Sequence, residues 1–170
     1  MSILKFVHNN KRHHLYEMYA YLADPNKTTT DSFIGFNVNP ANPIPEMDLI
    51  QNYYHYPSWD YSHKTYQQII LSFDDFITKD NPFIRTVCTQ VGFILRDNDP
   101  RQIFASIHFN GTNNIHCHYM LNYIDIMGNL YRQSYSIHHY RLLINDILSK
   151  YNFPLIKAKE LDITSSQCQM

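Results

Sequence analysis

The chain has 170 residues, 44% of them apolar and 15% aromatic, which suits one domain with a real core and excludes collagen-like or linker-like composition. Its net charge of −1 lacks the basic excess usual in nucleic-acid binders, and the local run KFVHNNKRHH at 5–14 reads equally as a basic patch or a solvated loop. No apolar run approaches the ~18 residues of a membrane helix, and a short apolar start followed by bases has the wrong order for a signal peptide, so a cytoplasmic protein is expected.

In chain order, SILKFV (2–7) reads as a strand. HHLYEMYAYLA (13–23) reads as a helix, because Leu15, Met18, Tyr19 and Leu22 fall at i, i+3, i+4 and i+7, and Asp24-Pro25-Asn26 ends it. Alternation predicts a strand over 30–38, the run NPANPIP a loop over 39–45, and the next stretch a helix over 45–56 stopped by Pro57. KTYQQIILSF (64–73) is rich in strand formers, and Asn81-Pro82 opens a helix running to about Leu95. RQIFASIHF (101–109) and IHCHYMLNYI (115–124) are two strands, Gly128-Asn129 a tight turn, and 138–151 a closing helix with apolar Leu142, Ile144, Ile147 and Leu148. The mixture predicts an α+β fold, a central and mostly antiparallel sheet flanked by helices, over 1–156, with a C-terminal tail at 157–170.

The cysteines Cys88, Cys117 and Cys168 show no Cys-x-x-Cys spacing, so neither a disulfide framework nor a zinc ribbon is indicated. Asn110-Gly111-Thr112 matches a glycosylation sequon and, without a secretory signal, reads as a turn.

That turn gives the histidines a geometry. Along a strand, side chains alternate faces, so His116, His118, Met120 and Asn122 share one face while Ile115, Cys117, Tyr119 and Leu121 share the other. A loop symmetric about Thr112 sets His108 opposite His116, with Cβ atoms ~5 Å apart, and His118 roughly 7 Å further along the same face. Three imidazoles on one face can converge on one cation and leave positions open for water or substrate. The remaining histidines, among them the adjacent pairs His13-His14 and His138-His139 and the isolated His8, His55 and His63, read as surface or core residues.

The stretch HFNGTNNIHCHYMLN resembles the histidine motif of the relaxase/mobilisation nucleases, a branch of the HUH endonucleases. LYEMYAYLADPNKT (15–28) resembles that family's N-terminal segment, in which a helix carries a tyrosine shortly before Lys-Thr. QQIILSFDD (67–75) and MGNLYRQS (127–134) resemble its Ser-Phe strand and its turn with a basic segment, and the order matches over 3–153. Two positions depart from the pattern: Asn110 stands where the family usually has Asp, and Tyr66, Gln67 and Gln68 stand where a histidine is often found.

The resemblance implies a minimal nuclease domain that nicks one DNA strand at an origin of transfer, for plasmid or mobile-element mobilisation. A tyrosine becomes joined to the 5′ phosphate. The family's metal ligands fall on His108, His116 and His118, its cofactor is Mn²⁺ or Mg²⁺, and its partners are single-stranded DNA and accessory mobilisation proteins. The nucleophile falls on Tyr21, roughly 110° from the centre of the helix's apolar stripe, with Tyr19 in the stripe and Tyr16 off it on the other side. Three rivals remain open. A replication initiator or transposase-like nuclease would use a later tyrosine, Tyr140 or Tyr151. A non-catalytic remnant would keep only metal or DNA binding, and a small metal-dependent hydrolase would use water.

Overall fold

The computed structural model describes residues 1–7, 14–57, 62–97, 99–109 and 114–158. The greater part of the run at 5–14, the hairpin turn itself, Cys168 and most of the tail lie outside the described residues. Ten elements follow in order: β1 (Ile3–Val7), α1 (Leu15–Leu22), a 3-10 turn (Thr30–Ser32), β2 (Phe33–Phe36), α2 (Pro43–Tyr53), β3 (Tyr66–Ser72), α3 (Ile84–Arg96), β4 (Ile103–His108), β5 (His116–Asn122) and α4 (Ile137–Lys150). The five strands form one sheet in the order β1-β3-β5-β4-β2, every neighbouring pair antiparallel, with helices on both faces. The fold is therefore α+β. Among the described residues no helix is long and apolar enough to cross a membrane.

The sheet divides the core in two. One face sends Ile69, Leu71, Ala105, Ile107, Cys117, Tyr119 and Leu121 into a layer closed by α3 and α4. The other sends Phe104 and Met120 into a smaller layer with Leu15, Met18 and Leu22 of α1 and Met47 of α2. The whole of β4 is buried, because helices cover it from both sides.

Four expectations shift. The predicted strand at 30–38 is shorter, since residues 30–32 form a 3-10 turn and the ladder ends at Phe36. The chain reverses tightly there: Asn37 takes the left-handed φ of 53°, and a Cβ on Gly35 would lie 2.2 Å from the Val38 carbonyl oxygen. In the closing helix Leu142 faces solvent, and Tyr140, Ile144 and Leu148, spaced i, i+4 and i+8, carry the buried stripe. The helix that Asn81-Pro82 announces starts at Ile84, after a turn in which the Asn81 side chain accepts the Phe83 N–H at 2.9 Å. Pro43 opens α2 two residues ahead of the expected start, where its missing N–H costs no helical bond.

Candidate metal centre

β4 and β5 pair with Ser106 opposite His118 and His108 opposite His116, the register that a loop centred on Thr112 requires. The three imidazoles meet on the α1 side of the sheet. Ring centroids are 5.3 Å apart for His108 and His116, 4.8 Å for His116 and His118, and 4.5 Å for His108 and His118. The last pair is the closest although its backbone positions are not directly opposite. One nitrogen from each ring lies within 4.8 Å of the other two, so His108, His116 and His118 form a cluster that could hold a metal ion. A common point within about 2.8 Å of all three exists in such a triangle, and metal–nitrogen bonds of ~2.0–2.1 Å need only a small closure.

Each ring is held by its other nitrogen. His108 donates its Nε2–H to the Leu22 carbonyl at 3.0 Å, which frees the Nδ1 lone pair. His116 donates Nδ1–H to the Asn114 carbonyl at 2.9 Å, which places its proton on Nδ1. The Gln68 amide lies 2.9 Å from Nδ1 of His118. With the amide oxygen turned to that nitrogen, a half-turn of the terminal torsion, it accepts Nδ1–H and leaves Nε2 as the ligand atom. His108 Nδ1 and His118 Nε2 are buried without a hydrogen-bond partner. Two unpartnered ring nitrogens in a cluster this close, with the opposite nitrogens held by the Leu22 carbonyl and the Gln68 amide, fit a histidine metal site.

Burial holds both rings neutral. His118 is pushed down to about 2, first by desolvation and then by the proximity of His108, His116 and Lys27. His108 is lowered chiefly by desolvation, opposed by its bond to Leu22. Neutral imidazole is the form that ligates, so protons compete weakly for these lone pairs at pH 7.

Tyr21, in the last turn of α1, stands beside the cluster. Its ring centroid is 5.5 Å from that of His118 and 5.7 Å from that of His108, and 45% of the residue is exposed. Tyr21, His116 and His118 line an open cleft of about 550 Å³ together with Ile70, Ser72, Asp75 and Asn114. The other two helix tyrosines are placed differently: Tyr19 packs on Phe104 at 5.4 Å, and Tyr16 lies on the His14 ring at 5.0 Å. Tyr140 and Tyr151 belong to the opposite layer of the sheet, Tyr140 buried against Phe6 and Tyr151 accepting a bond from Gln90.

Of the remaining histidines, His14 caps α1 by accepting the Tyr16 N–H, His63 packs on Tyr56 and His139 on Tyr135, and among the described residues none joins the cluster. His8 and His13 lie outside the described residues. Gln68 was visible in the sequence only as a departure from a pattern, yet it is the side chain that orients His118. The Leu22 carbonyl has no sequence signal at all, being a backbone atom at a helix end, where carbonyls lack helical partners; it accepts from both His108 and Ser106. Comparison with protein-family models and with curated proteins finds no match to this chain.

Proposed function

We propose that this chain is a metal-dependent nuclease of the relaxase type, nicking single-stranded DNA through Tyr21. The observation that carries the reading is the seating of the Tyr21 ring against His108 and His118 at the wall of one open cleft. A phenol is a weak nucleophile, and one beside a cation site gains most where negative charge builds on the phosphate it attacks.

His108, His116 and His118 would hold the ion, which when bound would polarise a phosphate oxygen as a Lewis acid. Tyr21 Oη attacks phosphorus, the P–O3′ bond breaks, the phenolic proton passes to solvent and the departing 3′ oxygen takes one up. The products are a 5′-phosphotyrosyl bond and a 3′ hydroxyl. One ester replaces another, so later strand joining needs no nucleotide cofactor. Of Mn²⁺ and Mg²⁺, three imidazole donors favour Mn²⁺, since Mg²⁺ prefers oxygen ligands. Partners in this reading are DNA at an origin of transfer and accessory mobilisation proteins.

The test is an adduct assay with Mn²⁺ and single-stranded oligonucleotides spanning candidate origins. Wild type is expected to form a covalent protein–DNA species, and Tyr21→Phe to lose it while binding the metal as before. An adduct that persists in Tyr21→Phe and disappears in Tyr140→Phe would overturn the choice of nucleophile. One observation favours a second reading: a three-histidine cluster, with His116 and His118 lining an open cleft, also leaves room for a bound water. A water-using hydrolase would cleave in Tyr21→Phe with no adduct in either protein.

A further inference from the structure

The turn after α1 supplies no ligand to the cluster, yet it is stitched to the strand that carries His108. Phe109 donates its N–H to the Lys27 carbonyl at 2.8 Å, and Thr28 Oγ1 donates to the Ile107 carbonyl at 2.7 Å. Ser106 Oγ donates to Leu22 at 2.7 Å. Inside the turn the Asp24 carbonyl accepts from Lys27 and Thr28, and its side chain accepts the Asn26 N–H at 3.0 Å. The backbone of Lys27 is thus fixed against the end of β4.

From there its side chain reaches the centre. Nζ lies 4.1 Å from the centroid of the Tyr21 ring, the ring that stands against His108 and His118. Among the described residues its ion pair is with Asp24 at 3.3 Å, an i,i+3 contact with both side chains partly in solvent. Such a solvent-exposed pair contributes little and yields readily to a better anion. The ligand set contains no carboxylate, so an ion bound there keeps its full positive charge. A divalent cation and an ammonium beside one tyrosine make a site for an anion with two free oxygens.

We propose that Lys27 is a substrate-binding residue: its ammonium takes one non-bridging oxygen of a phosphodiester whose other non-bridging oxygen faces the three-histidine centre, beside the Tyr21 ring. This rests on reading the centre as a nuclease, and it adds the residue that recognises the phosphate.

Two probes test it on Mn²⁺-loaded protein in the Tyr21→Phe background, which prevents turnover. The first is a short random-sequence single-stranded oligonucleotide, with affinity measured across a salt series. Lys27→Met should weaken binding about tenfold, the size of one charge-assisted hydrogen bond. It should also flatten the slope of log affinity against log salt by ~0.7, the value of one phosphate contact on a single strand. Lys27→Arg should keep the slope, and metal content should be equal in all three proteins. A purely structural role for Lys27 would leave the slope unchanged. The second probe is inorganic phosphate, followed by the paramagnetic broadening of its ³¹P signal by Mn²⁺. Phosphate affinity should fall in Lys27→Met and return in Lys27→Arg. An unchanged oligonucleotide slope, or phosphate binding indifferent to Lys27, overturns the proposal. If no protein binds DNA while phosphate binding depends on Lys27, the nuclease reading fails and the phosphate site stands.

Discussion

The two faces of β5 are built from alternate residues of one short strand, and they treat polar atoms in opposite ways. On the α3/α4 side, Cys117, Tyr119 and Leu121 are fully enclosed, and the Tyr119 hydroxyl donates to the Cys88 carbonyl at 2.8 Å. Burial pushes the Tyr119 phenol and the Cys88 thiol well up, so both stay neutral. On the α1/α2 side, His118 is equally buried and equally neutral, yet its Nε2 meets no partner. The covering helices explain the contrast. Thirteen-residue α3 and fourteen-residue α4 close their face, whereas eight-residue α1 ends at Leu22 and leaves the cleft beside Tyr21 open. One face spends its polar groups on stability, and the other keeps lone pairs available for a ligand.

Breaking the open face should cost function without fold. His118→Ala is expected to abolish metal binding, read by equilibrium dialysis against Mn²⁺, with the metal-free protein still folded. Unchanged metal content would return the histidines to the status of packed side chains. Breaking the closed face should do the reverse. Leu71→Ala, at a fully buried position, should destabilise by roughly 2–5 kcal/mol in denaturant unfolding while the folded fraction still takes up the metal. Loss of binding in the folded fraction would show that the two faces are coupled. Gln68→Ala sharpens the contrast inside the open face, since it removes only the group that orients His118. Metal affinity should drop about 10–100-fold, the usual effect of losing an orienting partner.

The mildest test uses pH on the metal-free protein. His118 has an ordinary value of 6.5 and about 2 when folded, so between these values the unfolded chain binds a proton that the native one refuses. Stability contributed by the neutral ring is therefore complete above 6.5 and is lost as pH falls. His108, lowered in the same direction, adds to the loss. Asp24 and Asp125, lowered from 3.8, join only in more acid solution, so the slope between 6.5 and about 4 reports the histidines. A double variant, His108→Phe with His118→Phe, should flatten that window, and added Mn²⁺ should steepen it in wild type because protons then compete with the metal.

Much of the centre was legible because it is local. Alternation with period two put His116 and His118 on one face, and a symmetric turn set His108 opposite His116, within nine residues of chain. Helical periodicity likewise separated Tyr21, exposed, from the buried Leu15, Met18 and Leu22. What remained hidden was non-local. The His108–Leu22 bond spans 86 positions and the Gln68–His118 bond 50, and neither belongs to a repeating pattern. The place of Lys27 against the Tyr21 ring depends on a turn anchored to a strand some eighty residues later, at Ile107 and Phe109.

The sequence by itself determined the α+β order of elements, the face shared by three histidines and the solvent-facing side of the tyrosine helix, since periodicity is a property of the local backbone. Only the tertiary structure decided which helix lies over the histidines, which tyrosines the sheet screens from them, and which lone pairs stay open. Those outcomes depend on how far each covering helix extends and where its last carbonyl falls, and packing between distant segments sets both.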